Sequence, residues 1–165
     1  MTPSSPAKPA AAWQRAIRDC PDLIHLAPPV VHPESRLSDV VTTFSSDLGA
    51  GVVFVTDSED RLVGWIPERA LDSGLMITTL PGELWRSVGE FDTRELLRAA
   101  HGKEQTAGEL MSAAKMVTGS ASLKDAVITM AGGKHRAIAL VDGRQRLLGY
   151  VIMFEILAQL LKANA

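Results

Sequence analysis

The stretch VVFVTDSEDRLVGWI, residues 52–66, returns as AIALVDGRQRLLGYV, residues 137–151. Without a gap, Asp57 falls on Asp142, Arg61 on Arg146, Leu62 on Leu147, Gly64 on Gly149 and Trp65 on Tyr150. Each copy opens with an apolar run, VVFV or AIALV, suited to a buried strand. DSED and DGRQ supply turn chemistry, and RLVGWI or RLLGYV supplies a second strand. Both copies therefore predict a β-hairpin.

The match extends upstream. VVHPESRLSDVV, residues 30–41, lies over MVTGSASLKDAV, residues 116–127, pairing Leu37 with Leu123 and Asp39 with Asp125. The second copy is one residue shorter between the two matched blocks. A short strand is expected at 29–31 and at 116–118. A helix follows at about 35–47, with Leu37, Val40, Val41 and Phe44 at helical spacing, and at about 122–130. Gly49-Ala50-Gly51 and Gly132-Gly133 read as helix-terminating glycines. After the hairpin a last helix starts at Pro67 in copy one, where a missing N–H costs nothing, and near Met153 in copy two. The unit is β-α-β-β-α, twice. Its period is too long for a solenoid, so it reads as a duplicated small domain of the α/β (α+β) class.

Outside the units the chain is less regular. Residues 1–12 are rich in Pro, Ala and Ser and are expected to be mobile, with a short helix over 11–20 stopped by Pro21. Between the copies, Asp92 and Glu95 form a capping box for the helix TRELLRAAH, and Trp85 and Phe91 suggest that this segment packs on something. Thr106 and Glu109 form a further capping box for AGELMSAA. The division is a mobile N-terminus with a short helix, 1–22; a first domain, 23–76; an inserted linker with a helix, 77–104; and a second domain, 105–165.

Composition narrows the function. The chain has 165 residues, 46% of them hydrophobic and 22% charged, enough for a core. A net charge of −2 argues against nucleic-acid binding, which needs a basic stripe. The single cysteine, Cys20, permits neither an internal disulfide nor a four-cysteine zinc site. His25, His32 and His101 match no metal-ligand spacing. There is no P-loop, no G-x-S-x-G elbow and no familiar set of nucleophile, base and orienter, so no enzyme is expected. The N-terminus lacks the apolar run of a signal peptide. The longest apolar stretch, LLGYVIMFEILAQLL, is too short to span a bilayer. A cytoplasmic protein without membrane contact is the expectation.

The tandem unit with RLVGW and RLLGY in its hairpins resembles a pair of cystathionine-β-synthase (CBS) domains, a Bateman module. The resemblance covers about residues 23–161 apart from the insertion. It implies two half-domains packed sheet to sheet about a pseudo-two-fold axis, with two related clefts between them. It also implies a stand-alone regulatory homodimer that binds an adenosine-type ligand in one cleft, AMP, ADP, ATP or S-adenosylmethionine, and signals to a partner protein. The apolar last helix, FEILAQLL, is the expected dimer face.

Within that resemblance, Lys134, His135 and Arg136 stand where nucleotide-sensing members aim basic side chains at phosphates. Such charge-assisted donors suit a phosphate in a cleft. Glu155 would accept from the ribose, and backbone at Met116, Val117, Thr118 and Ala137 would meet the base. The family's hydroxyl residue is Ile152 here, and in copy one Pro67 and Ala70 replace both polar groups. A second reading of Lys134-His135-Arg136 is a solvated loop whose charge complements a helix C-terminus. Trp65 and Tyr150 read as core or interface, and Arg61 and Arg146 as hairpin surface. The alternative function is a ligand-free dimeric scaffold that makes protein contacts through the insertion.

Overall fold

A computed structural model describes residues 9–71 and 105–163. The predicted helix TRELLRAAH, with Trp85 and Phe91, lies outside them. The described chain begins with α1 (Pro9–Trp13) and two single-turn 3-10 segments, Ile17–Asp19 and Pro21–Leu23. The expected helix over 11–20 breaks off early. The N–H groups of Ile17 and Arg18 are taken by Ala121 O (2.9 Å) and Gly119 O (3.0 Å) in the second half of the chain, not by a helical turn.

The first unit contains β1 (Val30–Val31), α2 (Leu37–Ser46), β2 (Val52–Thr56) and β3 (Leu62–Pro67). Helical residues 68–71 follow. After the short α3 (Ala107–Leu110), the second unit contains β4 (Met116–Thr118), α4 (Leu123–Gly133), β5 (Ala137–Val141), β6 (Leu147–Ile152) and α5 (Met153–Ala163). Each unit is a three-stranded sheet, β1-β2-β3 or β4-β5-β6, with one parallel and one antiparallel pair. The duplication holds in detail. Val30 pairs with Phe54 as Met116 does with Ala139, and the same bulge falls at Val55/Thr56 and Leu140/Val141. Asp60 and Gln145 both take positive φ, 62° and 63°.

Repeated residues have repeated jobs. Asp57 Oδ1 accepts from the N–H of Glu59 and Arg61, and Asp142 Oδ1 from Arg144 and Arg146. Each carboxylate thus closes its hairpin as an Asx turn. Asp125 completes a capping box with Ser122, while Asp39 accepts from Arg36 N–H at the start of α2. The hairpins meet across the pseudo-two-fold axis, where Leu62 N–H donates to Gln145 O (2.9 Å) and Leu147 N–H to Asp60 O (3.0 Å).

Both sheets are covered on two faces, so β2 and β5 are buried along their whole length. Alternate residues face opposite ways. Val52, Phe54, Ala137 and Ala139 join Trp65 and Tyr150 in a central core between the sheets. Val53, Val55 and Ile66 pack with Val40 and Phe44 of α2, and Ile138, Leu140 and Val151 with α4 and α5.

The segments leading into the two units are exchanged. His25 and Tyr150 share both backbone bonds (2.9 and 3.0 Å), and Ser112 and Trp65 do likewise (3.0 and 2.9 Å). Leu23 and Cys20 therefore belong to the second unit's core and Ala107 to the first. Burial pushes the Cys20 thiol pKa up, which keeps it protonated and unreactive.

Boundaries of several elements differ from the sequence reading, and the helix expected over AGELMSAA stops at Leu110. β1 begins at Val30, and α2 begins at Leu37 and ends at Ser46, before the glycines. α4 runs through Gly132-Gly133, and Lys134 is its left-handed cap (φ 54°). Pro67 ends β3 opposite Val52, so the following helix begins one residue later.

Candidate functional site

The end of α4 aims the basic triplet. Lys134 takes the left-handed conformation, and His135 N–H then donates to Met130 O at 2.9 Å, turning the chain into β5. Arg136 O accepts from Met153 N–H (2.8 Å), which ties the triplet to the start of α5. The repeat places Gly51 and Glu68 where Arg136 and Met153 stand, and there Glu68 N–H donates to Gly51 O (3.1 Å).

Across the central core, Lys134, His135, Arg136 and Ala137 face the other unit's Gly51, Trp65, Pro67, Glu68 and Arg69. Together they line a cavity of about 220 Å³. Arg136 Nη2 lies 2.7 Å from Glu68 Oε2, an ion pair with both partners about half exposed. The His135 ring tilts against Trp65, with centroids 4.4 Å apart. Burial, then the charges of Arg69 and Lys115, hold the His135 pKa below the ordinary imidazole range. At neutral pH it is therefore an uncharged ring with one N–H. The permanent cations of the cleft are Lys134, Arg136 and Arg69, set against one acid, Glu68. Such an arrangement can hold an anion.

The candidate residues divide. Lys134, His135, Arg136 and Ala137 come together at this cavity, whereas Glu155, Met116, Val117 and Thr118 do not line it. Glu155 Oε2 lies 2.7 Å from His25 Nε2, and the His25 ring stacks on Tyr150 (4.7 Å, 17°). The Tyr150 hydroxyl donates to Asp47 Oδ2. Burial and then the Asp47 carboxylate push the phenol pKa far above its ordinary value. This is the related second position, where Tyr150 is buried in the central core and Ile152 packs against it. Met116 packs on the central core, Val117 on the second unit's core, and the Thr118 hydroxyl pairs with Ser120 at 3.0 Å.

Each cleft is thus composite, built from one unit's helix-to-strand loop and the other's hairpin end. Reading each copy alone puts Glu155 with Lys134–Arg136. It also passes over Gly51, Glu68, Arg69, His25 and Asp47. The signal was the alignment itself, which matches Gly51 to Arg136 and so marks the two loops as unequal. Trp65 and Tyr150 are both buried, as core residues. Arg61 is an exposed hairpin residue paired with Asp57 and Glu59. Among the described residues, no cluster of three His, Cys, Asp or Glu side chains could hold a metal ion. Nor is any described helix long and apolar enough to cross a membrane.

Comparison with known proteins agrees with this architecture. A CBS domain-containing protein from Thermotoga maritima superposes with a TM-score of 0.68 at 22% identity, over 90% of this chain and 96% of that one. CBSX2 of Arabidopsis thaliana, solved in complex with AMP, gives 0.65 at 18% identity, over 91% and 98%. The cytosolic domain of the Mg2+ channel MgtE, solved in complex with ATP, gives 0.59 at 15% identity, over 83% and 46%. No curated protein matches the sequence significantly. The CBS domain model matches twice, at residues 22–76 and 107–162, one match on each copy of the repeat, and the chain belongs to the CBS domain family as a tandem pair.

Proposed function

We propose that this CBS pair is a regulatory, non-catalytic module that holds an adenosine-type phosphate ligand in the cleft between Trp65–Arg69 and Lys134–Ala137. The observation that carries the reading is the cavity itself, where three cations from both units converge with one acid. A phosphate there would bond to both halves at once and fix how they sit. A partner protein would read that change. Superposable CBS proteins were solved with AMP and with ATP. α5 leaves Phe154 and Leu161 exposed, which supports a homodimer formed through this helix.

The test is thermal unfolding with AMP, ADP, ATP, S-adenosylmethionine and NADH, each with and without magnesium. A ligand at a hundredfold excess over Kd stabilises by about 2.7 kcal/mol, or roughly 5–10 °C for a chain of this size. The expected result is such a shift with at least one ligand, lost in Arg136→Ala. No shift with any of them overturns the reading and favours the ligand-free scaffold. Two observations favour that second reading: the other cleft has Gly51 and Met153 where this one has Arg136 and Glu68, and Ala70 leaves this one without a ribose acceptor at that position.

A further inference from the structure

Glu68 and Arg136 form a pair that the repeat does not duplicate. At the matching positions the second cleft has Met153 and Gly51, so no ion pair arises there. Both members of the Glu68–Arg136 pair line the cavity, and they come from different units. The Arg136 guanidinium lies close over Gly51, in the space that a side chain there would take, since a Cβ on Gly51 would lie 2.5 Å from its Nη2. Glu68 is fixed at its root by the backbone bond to Gly51 O. Among the described residues, neither Lys134 nor Arg69 has an ion-pair partner. The one acid of the cleft is thus spent on the cation best suited to a forked contact with phosphate.

We propose that Glu68 is the specificity-determining residue of this cleft, a built-in carboxylate that competes with the ligand's phosphate for Arg136. The inference rests on the cleft being a phosphate site, as argued above. A phosphate group carries up to two charges and three acceptor oxygens, so it can displace a single carboxylate from Arg136. A ligand offering only a carboxylate gains nothing over Glu68. Because an exposed pair favours its closed form only modestly, its competition lowers phosphate affinity on the order of two- to fivefold. The displaced Glu68 then marks the bound state on the unit opposite the triplet.

The test is calorimetric titration of inorganic pyrophosphate into the full chain and into Glu68→Gln, Glu68→Asp, Arg136→Ala and the Glu68→Gln/Arg136→Ala double variant. Direct competition predicts that Glu68→Gln binds on the order of two- to fivefold tighter. Glu68→Asp, which keeps the charge but shortens the reach, should gain likewise. The double variant should bind no tighter than Arg136→Ala. If Glu68→Asp behaves as the unchanged chain while Glu68→Gln gains, Glu68 acts only as a nearby charge and the competition is overturned. If both Glu68 variants bind as the unchanged chain while Arg136→Ala loses affinity, the phosphate site stands and the role of Glu68 falls. If pyrophosphate binds none of the proteins, or binds Arg136→Ala undiminished, the site reading falls and the inference with it.

Discussion

The guanidinium of Arg136 fills the space that a side chain at Gly51 would need, for a Cβ there would stand 2.5 Å from Nη2 and 2.7 Å from Nε. Gly51 also has φ 63°, a backbone conformation costly for residues with a Cβ. Gly51→Ala is therefore expected to destabilise the fold by about 1–2 kcal/mol and to push Arg136 out of the cleft. A urea titration measures the first effect. A loss of any phosphate-induced stabilisation larger than the stability change explains would report the second.

Gly64 and Gly149 occupy the same place in the repeat but face different neighbours. A Cβ at Gly149 would collide with the backbone carbonyl of His25, whereas at Gly64 it would meet the Met111 sulfur at 2.6 Å and only touch the Ser112 carbonyl, at 3.0 Å. A thioether swings aside and the Ser112 carbonyl need give only a few tenths of an ångström, but the His25 carbonyl, held by the Tyr150 N–H, would have to move much further. Gly149→Ala should cost at least the roughly 1–3 kcal/mol typical of overpacking, and Gly64→Ala distinctly less. Denaturant midpoints of the two variants, compared side by side, check the order.

These contacts show what the sequence could carry. The hairpins were legible because strand, turn and glycine recur in register, and the Asx turns of Asp57 and Asp142 supply the physical reason. The exchange of the leading segments was not legible. The apolar pattern of Leu23 or Ala107 says that each is buried, but not in which half. How the candidate residues group was not legible for a related reason. Lys134–Arg136 and Glu155 lie close in sequence, yet the pseudo-two-fold packing turns the loop toward Glu68 and leaves Glu155 with His25.

His135 should make stability fall in mild acid. Burial against Trp65 and the nearby charges of Arg69 and Lys115 lower its folded pKa, while the unfolded chain keeps about 6.5. The unfolded state then binds the proton more readily. The contribution of the neutral ring is present above the unfolded pKa and is lost as pH falls through the folded one. Urea midpoints from pH 7.5 down to 5 should decline more steeply in the unchanged chain than in His135→Asn. A bound phosphate would favour the charged ring and shift its NMR titration to higher pH.

Tyr150 gives the opposite sign at the other end of the scale, and it can be read directly because it is the chain's sole tyrosine. Burial, then the bond to Asp47 and its negative charge, raise its folded pKa, while in the unfolded chain the phenol titrates near 10. The protonated ring's contribution is complete below pH 10 and is lost as pH rises toward the folded value. Phenolate absorbance should therefore appear at distinctly higher pH in the folded protein than in urea, and Tyr150→Phe should flatten the stability loss above pH 10. Replacing Asp47 with Asn removes the charge but leaves burial, the larger cause, so the native titration should move only part of the way back. A complete return to the unfolded value would mean that Asp47, and not burial in the central core, keeps this phenol protonated.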